Sequence, residues 1–302
     1  MTYDVIIVGG SFAGISAALQ LARARRRVLV IDAGQRRNRF VTSSHGFLGH
    51  DGRDPAAIIA GARAELAAYP TVTWIEELAV DAAASDDGFA VTLASGERHR
   101  GKRLILAVGV VDELPELPGV AERWGKTIFH CPYCHGYELD GGPIAVLATL
   151  PGSVHHAMML PDWGATTYFT QGVFEPDDET RGAIEARGVV IERAPVRAIG
   201  GDRGVDVTLQ DGRVLGFAGL FLAPRTHVSS PLATRLGLEL EDGPLGAYLR
   251  CDATRETSVP GVFACGDITV FAGNVAIAVA DGVRAGVAAH HSLIVGAGRR
   301  AA

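Results

Sequence analysis

A pair of cysteines two residues apart, in the stretch HCPYCHGYE at 130–138, carries the clearest chemistry in this sequence. Cys131 and Cys134 have the C-x-x-C spacing, which is typical of either a redox-active dithiol or half of a metal site. The thiolate is the reactive form of cysteine, so groups that lower its pKa or accept its proton decide its chemistry. His130 and His135 lie on either side of the pair, and an imidazole can hold or relay protons near neutral pH.

Three interpretations of the pair compete. A structural zinc site needs four ligands, and the other two cysteines, Cys251 and Cys265, are not spaced as a second pair. A glutaredoxin-type module also uses C-P-Y-C, but no small thioredoxin-like domain fits this sequence. We favour the third interpretation, a redox-active dithiol that cycles between its thiol and disulfide forms. Cys251 and Cys265 are then expected in the core, because free cysteine is often buried.

The first 32 residues predict a βαβ unit that binds a dinucleotide. A β-branched strand at Val5–Val8 leads into a glycine turn, an amphipathic helix over about 13–25 and a strand at Val28–Ile31. Ser11 replaces the middle glycine of G-x-G-x-x-G, but its backbone N–H can still meet a pyrophosphate at the helix N-terminus. Asp32 follows the second strand, where a ribose-binding carboxylate belongs. The predicted contacts in the turn are Gly9, Gly10, Ser11, Phe12, Ala13 and Gly14.

Two distant segments indicate which dinucleotide is bound. KRLILAVG at 102–109 and TSVPGVFACGDIT at 257–269 each read as a hydrophobic strand that ends in a turn of small residues. With these segments the chain resembles the flavoprotein disulfide reductases, and more closely their thioredoxin reductase branch, over nearly its whole length. The resemblance implies that FAD is the cofactor and that Asp267, next to Gly266, binds its ribityl chain. It also implies that a helix at 274–291 runs beneath the isoalloxazine ring.

The same resemblance extends the set of expected FAD contacts. In this family the polar, glycine-rich loop at 32–52 passes over the FAD phosphates and reaches the flavin. Arg37 and Asn38 are expected on the phosphate or adenine side, and His45 and Gly46 near the flavin ring. The other expected contacts are Ala33, Val80, Ala107, Val108, Gly109, Asn274, Val275 and Ala276.

The order of these segments predicts an α/β fold with two Rossmann-like, three-layer domains of the FAD/NAD(P)-binding type, the second inserted in the first. A chain of 302 residues is long enough for two such domains. We expect an FAD-binding domain over 1–113 and 230–302, and a second domain over 114–229 that carries the cysteine pair. The prolines of ELPELPGVAERWGK, at 113–126, are typical of a crossing between domains.

The second domain lacks the sequence signature of an NADPH site. A strand is predicted at 142–148, but the turn after it reads ATLPGS at 148–153. Leu150 stands where a glycine would let a pyrophosphate approach the backbone, and Pro151 removes an N–H donor. The acidic stretch at 173–180 would repel a 2′-phosphate. We therefore expect a degenerate nucleotide site in a retained fold, and we interpret His155 and His156 as an ordinary solvated helix start.

The combined pattern looks like the dithiol oxidases that form intramolecular disulfides in gliotoxin, holomycin and related natural products. By that resemblance, Cys131 exchanges with the substrate, Cys134 faces the flavin C4a, and O₂ reoxidises the flavin to give hydrogen peroxide. Thioredoxin reductases usually carry an acidic residue directly after the second cysteine. Here His135 takes that place, and a neutral imidazole accepts a proton from an incoming thiol more readily than a carboxylic acid does, which favours thiol oxidation.

Two other functions stay open at this point. One is a reductase that is fed by ferredoxin or another flavoprotein and passes electrons to thioredoxin. The other is a flavin-binding redox sensor whose disulfide reports the redox state. The expected partner is a dithiol-containing small molecule or a thioredoxin-like protein, and the resemblance implies a homodimer.

The composition argues against several other classes of partner. The formal net charge is −6, and the one cluster of basic residues, Arg23–Arg27, reads as the cationic end of a helix, so nucleic acid is not expected. No apolar run reaches the roughly 20 residues that span a bilayer. No signal peptide precedes the first strand, so a cytoplasmic enzyme is expected. No resident metal is expected, because the zinc interpretation of the cysteine pair is not favoured.

Overall fold

The computed structural model describes residues 2–270 and 273–299. The chain divides into two compact units, the first built from 1–39, 54–111 and 227–302 and the second from 40–53 and 112–226. The sequence boundaries at 113/114 and 229/230 lie close to two of these crossings. The structure groups the loop 40–53 with the second unit, whereas the sequence prediction placed it with the first.

Short strands and helices alternate along the chain. The strands among the described residues are β1 Thr2–Val8, β2 Val28–Ile31, β3 Val72–Ile75, β4 Ala79–Ser85, β5 Gly88–Leu93, β6 Arg98–Leu106, β7 Val110–Glu113, β8 Ile128–Phe129, β9 Ile144–Leu147, β10 Thr166–Phe169, β11 Val190–Glu192, β12 Val196–Gly200, β13 Val205–Leu209, β14 Val214–Phe217, β15 Gly219–Leu222, β16 Arg225–Val228, β17 Leu240–Gly243, β18 Gly246–Leu249 and β19 Val262–Ala264. The α-helices are α1 Phe12–Arg23, α2 Pro55–Ala67, α3 Val120–Arg123, α4 Pro132–His135, α5 Ser153–Met159, α6 Asp178–Ala186, α7 Leu232–Arg235 and α8 Val275–Arg299. Within the described ranges, no helix is both long and apolar enough to cross a membrane.

The first unit is built on a mixed sheet with strand order β3-β2-β1-β6-β5-β4, and β19 pairs with β6. Strands β3, β2, β1, β6 and β19 run parallel, while β5 and β4 complete the sheet as antiparallel neighbours. Ile6 and Val8 of β1 face one hydrophobic core, and Val5 and Ile7 face the other. A strand that is buried on both faces needs apolar side chains at every position, which explains the continuous run VIIV.

Helices α1 and α8 pack against each other on one face of this sheet through small side chains. The Ser16 hydroxyl donates a hydrogen bond to the Val279 carbonyl over 2.7 Å. A Cβ atom added at Gly282 would lie 2.1 Å from the Ala13 carbonyl oxygen, so the two backbones leave no room for a side chain there. α8 begins one residue after the predicted start and continues to Arg299.

Two predicted elements of the first unit end earlier than expected. Helix α1 stops at Arg23 rather than near 25, because Arg25 adopts a φ of +58°, a left-handed conformation in which a helix cannot continue. In the stretch 257–269 only Val262–Ala264 is strand, and the chain then enters a 3₁₀ turn at Asp267–Thr269.

The second unit contains a five-stranded parallel sheet with order β11-β10-β9-β15-β8 and a three-stranded antiparallel sheet β12-β13-β14. Every residue of β9 and β15 is buried. Helices α5 and α6 follow β9 and β10, so the parallel sheet is built from β–α–β crossings. The predicted α/β fold class is confirmed.

Candidate active site

The glycine turn after β1, which we call the cradle, packs so closely against neighbouring backbone that two of its positions leave no room for a side chain. Gly9 has a φ of +104°, and a Cβ added there would lie 2.2 Å from the Ala107 carbonyl oxygen at the end of β6. A Cβ added at Gly14 would lie 1.8 Å from the Gly9 carbonyl oxygen. Only glycine therefore lets α1 start this close to the ends of β1 and β6.

The N-terminus of α1 has the properties of an anion site. Ser11 is the N-cap residue, and its side chain makes no capping hydrogen bond. The Asp32 carboxylate accepts a hydrogen bond from the Gly10 N–H over 3.0 Å, which places this acid at the turn. Free N–H groups at a helix N-terminus attract a pyrophosphate, and an acid beside them suits a ribose hydroxyl.

A second acid, Asp267, lies after β19 in the same unit. Its carboxylate forms an ion pair with the Arg37 guanidinium over 2.9 Å, so two distant predicted contacts are brought together. The turn that carries Asp267 is held by hydrogen bonds to Asp281 of α8. The Asp281 carboxylate accepts hydrogen bonds from the Gly266 N–H (3.0 Å) and the Thr269 hydroxyl (2.8 Å).

Six of the remaining predicted FAD contacts fall in two places. Ala107, Val108 and Gly109 follow β6, with the Val108 carbonyl accepting from the Ser229 hydroxyl over 2.6 Å. Asn274 caps α8 by accepting from the Ile277 N–H over 2.9 Å, and the first helical turn contains Val275 and Ala276.

The other predicted contacts are less firmly placed. Ala33 is exposed after Asp32, Asn38 is half-buried, and Val80 is exposed on β4. His45 and Gly46 belong to the loop that the structure groups with the second unit, so they are not part of the glycine turn of the first unit. Their predicted place near the flavin ring stays a prediction.

The residues of the first unit fit a bound FAD. A cradle that tolerates only glycine, an uncapped helix N-terminus and a carboxylate beside the turn together match a pyrophosphate and its ribose.

The cysteine pair lies in the second unit and is oxidised. Cys131 and Cys134 are joined by a disulfide with a Cα–Cα separation of 5.3 Å. Cys131 is the N-cap residue of the short helix α4, which contains Pro132 and Cys134. Both cysteines are half-buried and not enclosed in the core.

His135 ends α4 directly after the pair, and its ring stacks on Phe129 with the ring centroids 4.3 Å apart. Burial lowers the pKa of His135 to about 4, although the nearby Glu138 carboxylate opposes the shift. His135 is therefore a neutral imidazole at physiological pH. Glu138 also contacts His45 across 3.3 Å, so the loop 40–53 reaches the segment that carries the pair.

His156 was predicted to lie on a solvated helix start, and that prediction is wrong. Its Nε2 lies 2.8 Å from the carbonyl oxygen of His130, the residue directly before Cys131. Burial lowers the pKa of His156 to about 4, so this imidazole is also neutral. Its neighbour His155 is exposed, as expected. The His130 ring lies 5.9 Å from that of Trp124.

Two backbone N–H groups of the turn at 148–153 already donate to a side chain of the turn itself. The Ser153 hydroxyl accepts hydrogen bonds from the Thr149 N–H (3.0 Å) and the Leu150 N–H (3.2 Å). Leu150 is buried in the turn, and Pro151 has no N–H. A serine hydroxyl thus occupies the donors that a nucleotide pyrophosphate would use.

Two acidic side chains in the segment after β10 have partners within the second unit. The Asp177 carboxylate caps α6 by accepting from the Thr180 N–H over 2.8 Å. Glu175 pairs with Arg193 across 2.6 Å. These carboxylates belong to the acidic stretch that was predicted to repel a 2′-phosphate, and that repulsion stays a prediction.

The zinc interpretation has no support from the geometry. Within residues 2–270 and 273–299, no group of three or more His, Cys, Asp or Glu side chains is arranged to hold a metal ion. Cys265 is fully buried and Cys251 packs partly exposed against the core. Burial raises the pKa of Cys251 to about 12 and raises that of Cys265 as well, so both remain inert thiols.

Three residues of the site escaped the sequence prediction. Ser153 was seen only as part of a degenerate turn, and His156 was assigned to solvent. Asp281 was overlooked, although an acid inside the apolar run NVAIAVADGV signals a buried carboxylate that needs partners.

The fold and these sites together define an FAD-dependent disulfide oxidoreductase. Residues 3–291 match the model of the pyridine nucleotide-disulphide oxidoreductases, and the chain belongs to that family. It is 34% identical to thioredoxin reductase tcpT from Claviceps purpurea over 96% of this chain and 94% of that protein. It is 33% identical to thioredoxin reductase sirT from Leptosphaeria maculans, over 94% of this chain and 92% of that one.

A solved structure is closer still in sequence. The crystal structure of the oxidoreductase from Agrobacterium tumefaciens is 52% identical and superimposes with a TM-score of 0.95, covering 98% of this chain and 99% of that one. These findings confirm the predicted thioredoxin reductase-like class, its enzymatic nature and FAD as the cofactor.

Proposed function

We propose that this enzyme oxidises a dithiol to a disulfide through Cys131 and Cys134, with O₂ as the terminal electron acceptor. In the net reaction a dithiol and O₂ give a disulfide and hydrogen peroxide, so two electrons and two protons leave the two thiols. The observation that carries the proposal is the closed turn in the second unit, where the Ser153 hydroxyl occupies the Thr149 and Leu150 N–H groups.

The closed turn supports a source of electrons other than NADPH. A reductase of this family that uses NADPH needs a phosphate site in the second unit. Here the Ser153 hydroxyl accepts hydrogen bonds from two backbone N–H groups of the turn, and Pro151 offers no donor. Without a pyridine nucleotide, two electrons can still enter at the disulfide, and in this proposal a substrate dithiol supplies them.

The exchange follows ordinary thiol–disulfide chemistry. A substrate thiolate attacks Cys131 Sγ, the Cys131–Cys134 bond breaks, and Cys134 leaves as a thiolate. The second substrate thiol then attacks the mixed disulfide, forms the product disulfide and releases Cys131 as a thiol. The role of Cys131 as the sulfur that the substrate attacks, and of Cys134 as the leaving thiolate, follows the family resemblance.

His135 is suited to the proton that the substrate gives up. It is neutral in the disulfide form because its ring is buried against Phe129. A thiolate that forms on the adjacent Cys134 would raise the pKa of the imidazole by attraction of opposite charges. His135 can therefore take a proton when the pair is reduced and return it to solvent when the pair is reoxidised.

The first unit supplies the site for the cofactor. The glycine turn and the α1 N-terminus would hold the FAD pyrophosphate, Asp32 the ribose, and Asp267 with Arg37 the ribityl and phosphate side. When bound, FAD supplies a two-electron acceptor for the reduced cysteines and an outlet to O₂. A homodimer and a place in the cytoplasm belong to the same proposal.

A second candidate function rests on the names of the relatives. Two curated relatives are called thioredoxin reductases. In that case the pair would reduce thioredoxin, with electrons from ferredoxin or another flavoprotein, since the closed turn argues against NADPH.

The test uses the purified yellow holoenzyme under anaerobic conditions. We expect dithiothreitol to bleach the flavin absorbance and NADPH or NADH to leave it unchanged over the same time. Cys134→Ser should abolish bleaching by the dithiol. Cys251→Ser is the matched control, and it should bleach like the wild type because Cys251 is a partly buried, high-pKa thiol outside the pair.

Two further measurements separate the candidates. On admission of air, an oxidase should consume one O₂ and form one hydrogen peroxide for each disulfide made. If the reduced enzyme instead passes its electrons to oxidised thioredoxin much faster than to O₂, the reductase is correct. Rapid bleaching by NADPH would refute both the closed turn and the proposed oxidase.

A further inference from the structure

We infer that His156 is a positioning residue that clamps the chain in front of Cys131 and so favours the disulfide form of the pair. The inference deepens the proposed function, because it concerns the redox equilibrium of the same two cysteines. It rests on a hydrogen bond, on the packing around it and on the helix that delivers it.

The hydrogen bond defines the protonation state of His156. Its Nε2 lies 2.8 Å from the His130 carbonyl oxygen, and a carbonyl can only accept, so Nε2 carries the hydrogen. Nδ1 is buried and has no hydrogen-bond partner among the described residues. A neutral ring with its hydrogen on Nε2 is the form that meets both conditions, and burial keeps the ring neutral.

Aromatic rings connect the two ends of the cysteine segment. The His156 ring lies 6.3 Å from Phe221, which lies 5.8 Å from Phe129. Phe129 in turn stacks on His135 at 4.3 Å. His156, which contacts the residue before Cys131, and His135, the residue after Cys134, thus lie against the same pair of phenylalanines.

Helix α5 carries His156 and so positions its hydrogen bond to the His130 carbonyl. Ser153, its first residue, closes the nucleotide turn, and His156 follows three residues later, on the same side of the helix. One element therefore fills the position of the lost phosphate and holds the segment that leads to the disulfide. In a relative with a bound nucleotide, the start of this helix would face a pyrophosphate instead.

The clamp has a definite consequence for the equilibrium of the pair. Holding the backbone at His130 restricts Cys131 to positions close to Cys134, which raises the effective concentration of one thiol at the other. Removing the hydrogen bond frees the segment in the dithiol form and takes the His156 donor away from the His130 carbonyl in the disulfide form. Both effects favour the dithiol.

The test compares His156→Leu with His156→Gln in the full-length holoprotein. Each is equilibrated anaerobically in dithiothreitol redox buffers and quenched with an alkylating agent, and the peptide that contains both cysteines is weighed by mass spectrometry. We expect His156→Leu to shift the equilibrium roughly fivefold toward the dithiol, the size of one buried hydrogen bond. His156→Gln, whose amide nitrogen can still donate, should stay within about twofold of wild type.

Controls keep the result specific. His155→Leu changes the exposed neighbour on the same helix and should leave the equilibrium unchanged. If His156→Leu behaves like wild type, or if the Gln and Leu variants shift equally, the clamp is refuted.

A direct probe covers the case in which His156→Leu fails to fold. The ¹⁵N chemical shifts of the wild-type His156 imidazole at pH 7 should show a neutral ring with the hydrogen on Nε2, and any other form refutes the clamp. Because these measurements follow only the cysteine pair and the His156 ring, and need neither electron transfer to the flavin nor O₂, a failed bleaching test would reject the proposed function and leave the clamp standing.

Discussion

A single buried carboxylate, Asp281, holds the turn that presents Asp267. It is 2% exposed, accepts from the Gly266 N–H and the Thr269 hydroxyl, and forms an ion pair with Arg255. A buried charge is tolerated only when a partner and hydrogen bonds replace its lost hydration. Asp281 therefore links α8 to the turn beside the cofactor cradle.

We predict that Asp281→Ala destabilises the protein by about 3–5 kcal/mol, because Arg255 loses its partner and two donors lose their acceptor. FAD affinity should fall as well, since the turn at Gly266 loosens. Urea denaturation of the apoprotein and FAD titration by fluorescence measure the two effects separately.

Two variants make the Asp281 prediction specific. Asp178→Ala removes an acid that is 93% exposed and should change the free energy of unfolding by less than about 0.5 kcal/mol. Removing both charges, in Asp281→Ala with Arg255→Met, should cost less than Asp281→Ala alone. A double variant that is less stable than the single one would contradict the ion-pair account.

Single residues also mark the limit of prediction from sequence. Asp32, Cys131 and Cys134 were identifiable because their roles follow from spacing to a turn or to each other. His156 was misassigned, because its partner lies 26 residues away and no local pattern shows that contact. Ser153 resembled any serine at a helix start until its hydroxyl was seen to accept two backbone hydrogen bonds.

At the scale of elements, the contact between α1 and α8 matters most for the cofactor cradle. Gly282 lets the α8 backbone approach Ala13, which lies one residue before Gly14 in the turn of α1. Any displacement of α1 would move the helix N-terminus on which a pyrophosphate depends.

We predict that Gly282→Ala costs about 2–3 kcal/mol through overpacking and lowers FAD retention during purification. Gly61→Ala is the matched control, because Gly61 also lies inside a helix but an added Cβ there meets nothing within 4 Å. That control should be neutral or stabilise the protein by up to about 1 kcal/mol, from helix propensity alone. Thermal unfolding of both variants decides the matter, and equal melting temperatures would refute the close-packing account.

Elements were largely predictable from local pattern. The strands of the first βαβ unit follow from continuous β-branched runs, and α8 follows from its small-residue repeat. Their ends were harder to predict, as at Arg25, where a left-handed residue stops α1. Helix ends depend on a single backbone conformation, which a hydrophobic pattern does not encode.

At the scale of the whole molecule, the two units divide the chemistry. Gly9, Gly14, Asp32 and Asp267 belong to the first unit, whereas the Cys131–Cys134 pair belongs to the second. The residues that would bind FAD therefore lie in a unit with its own two hydrophobic cores, and the cysteine pair lies in a unit with two others.

We predict that the double variant Cys131→Ala, Cys134→Ala keeps a full complement of FAD, because no atom of the first unit's cradle is altered. The ratio of flavin to protein absorbance should equal that of wild type, while bleaching by dithiothreitol is lost. Gly14→Ala provides the opposite control: it should lose FAD, because its Cβ would collide with the Gly9 carbonyl. Loss of FAD from the cysteine variant would show that the pair is needed to build the cofactor site.

Sequence by itself predicted the α/β class and the cysteine pair, because both depend on residue types at short, fixed spacings, and it predicted FAD through the resemblance of longer segments. Only the tertiary structure showed that the Ser153 hydroxyl accepts from two backbone N–H groups, that His156 contacts the His130 carbonyl and that Asp281 holds the Gly266 turn. Those roles belong to buried polar groups, and a buried polar group is defined by partners that folding brings from elsewhere in the chain.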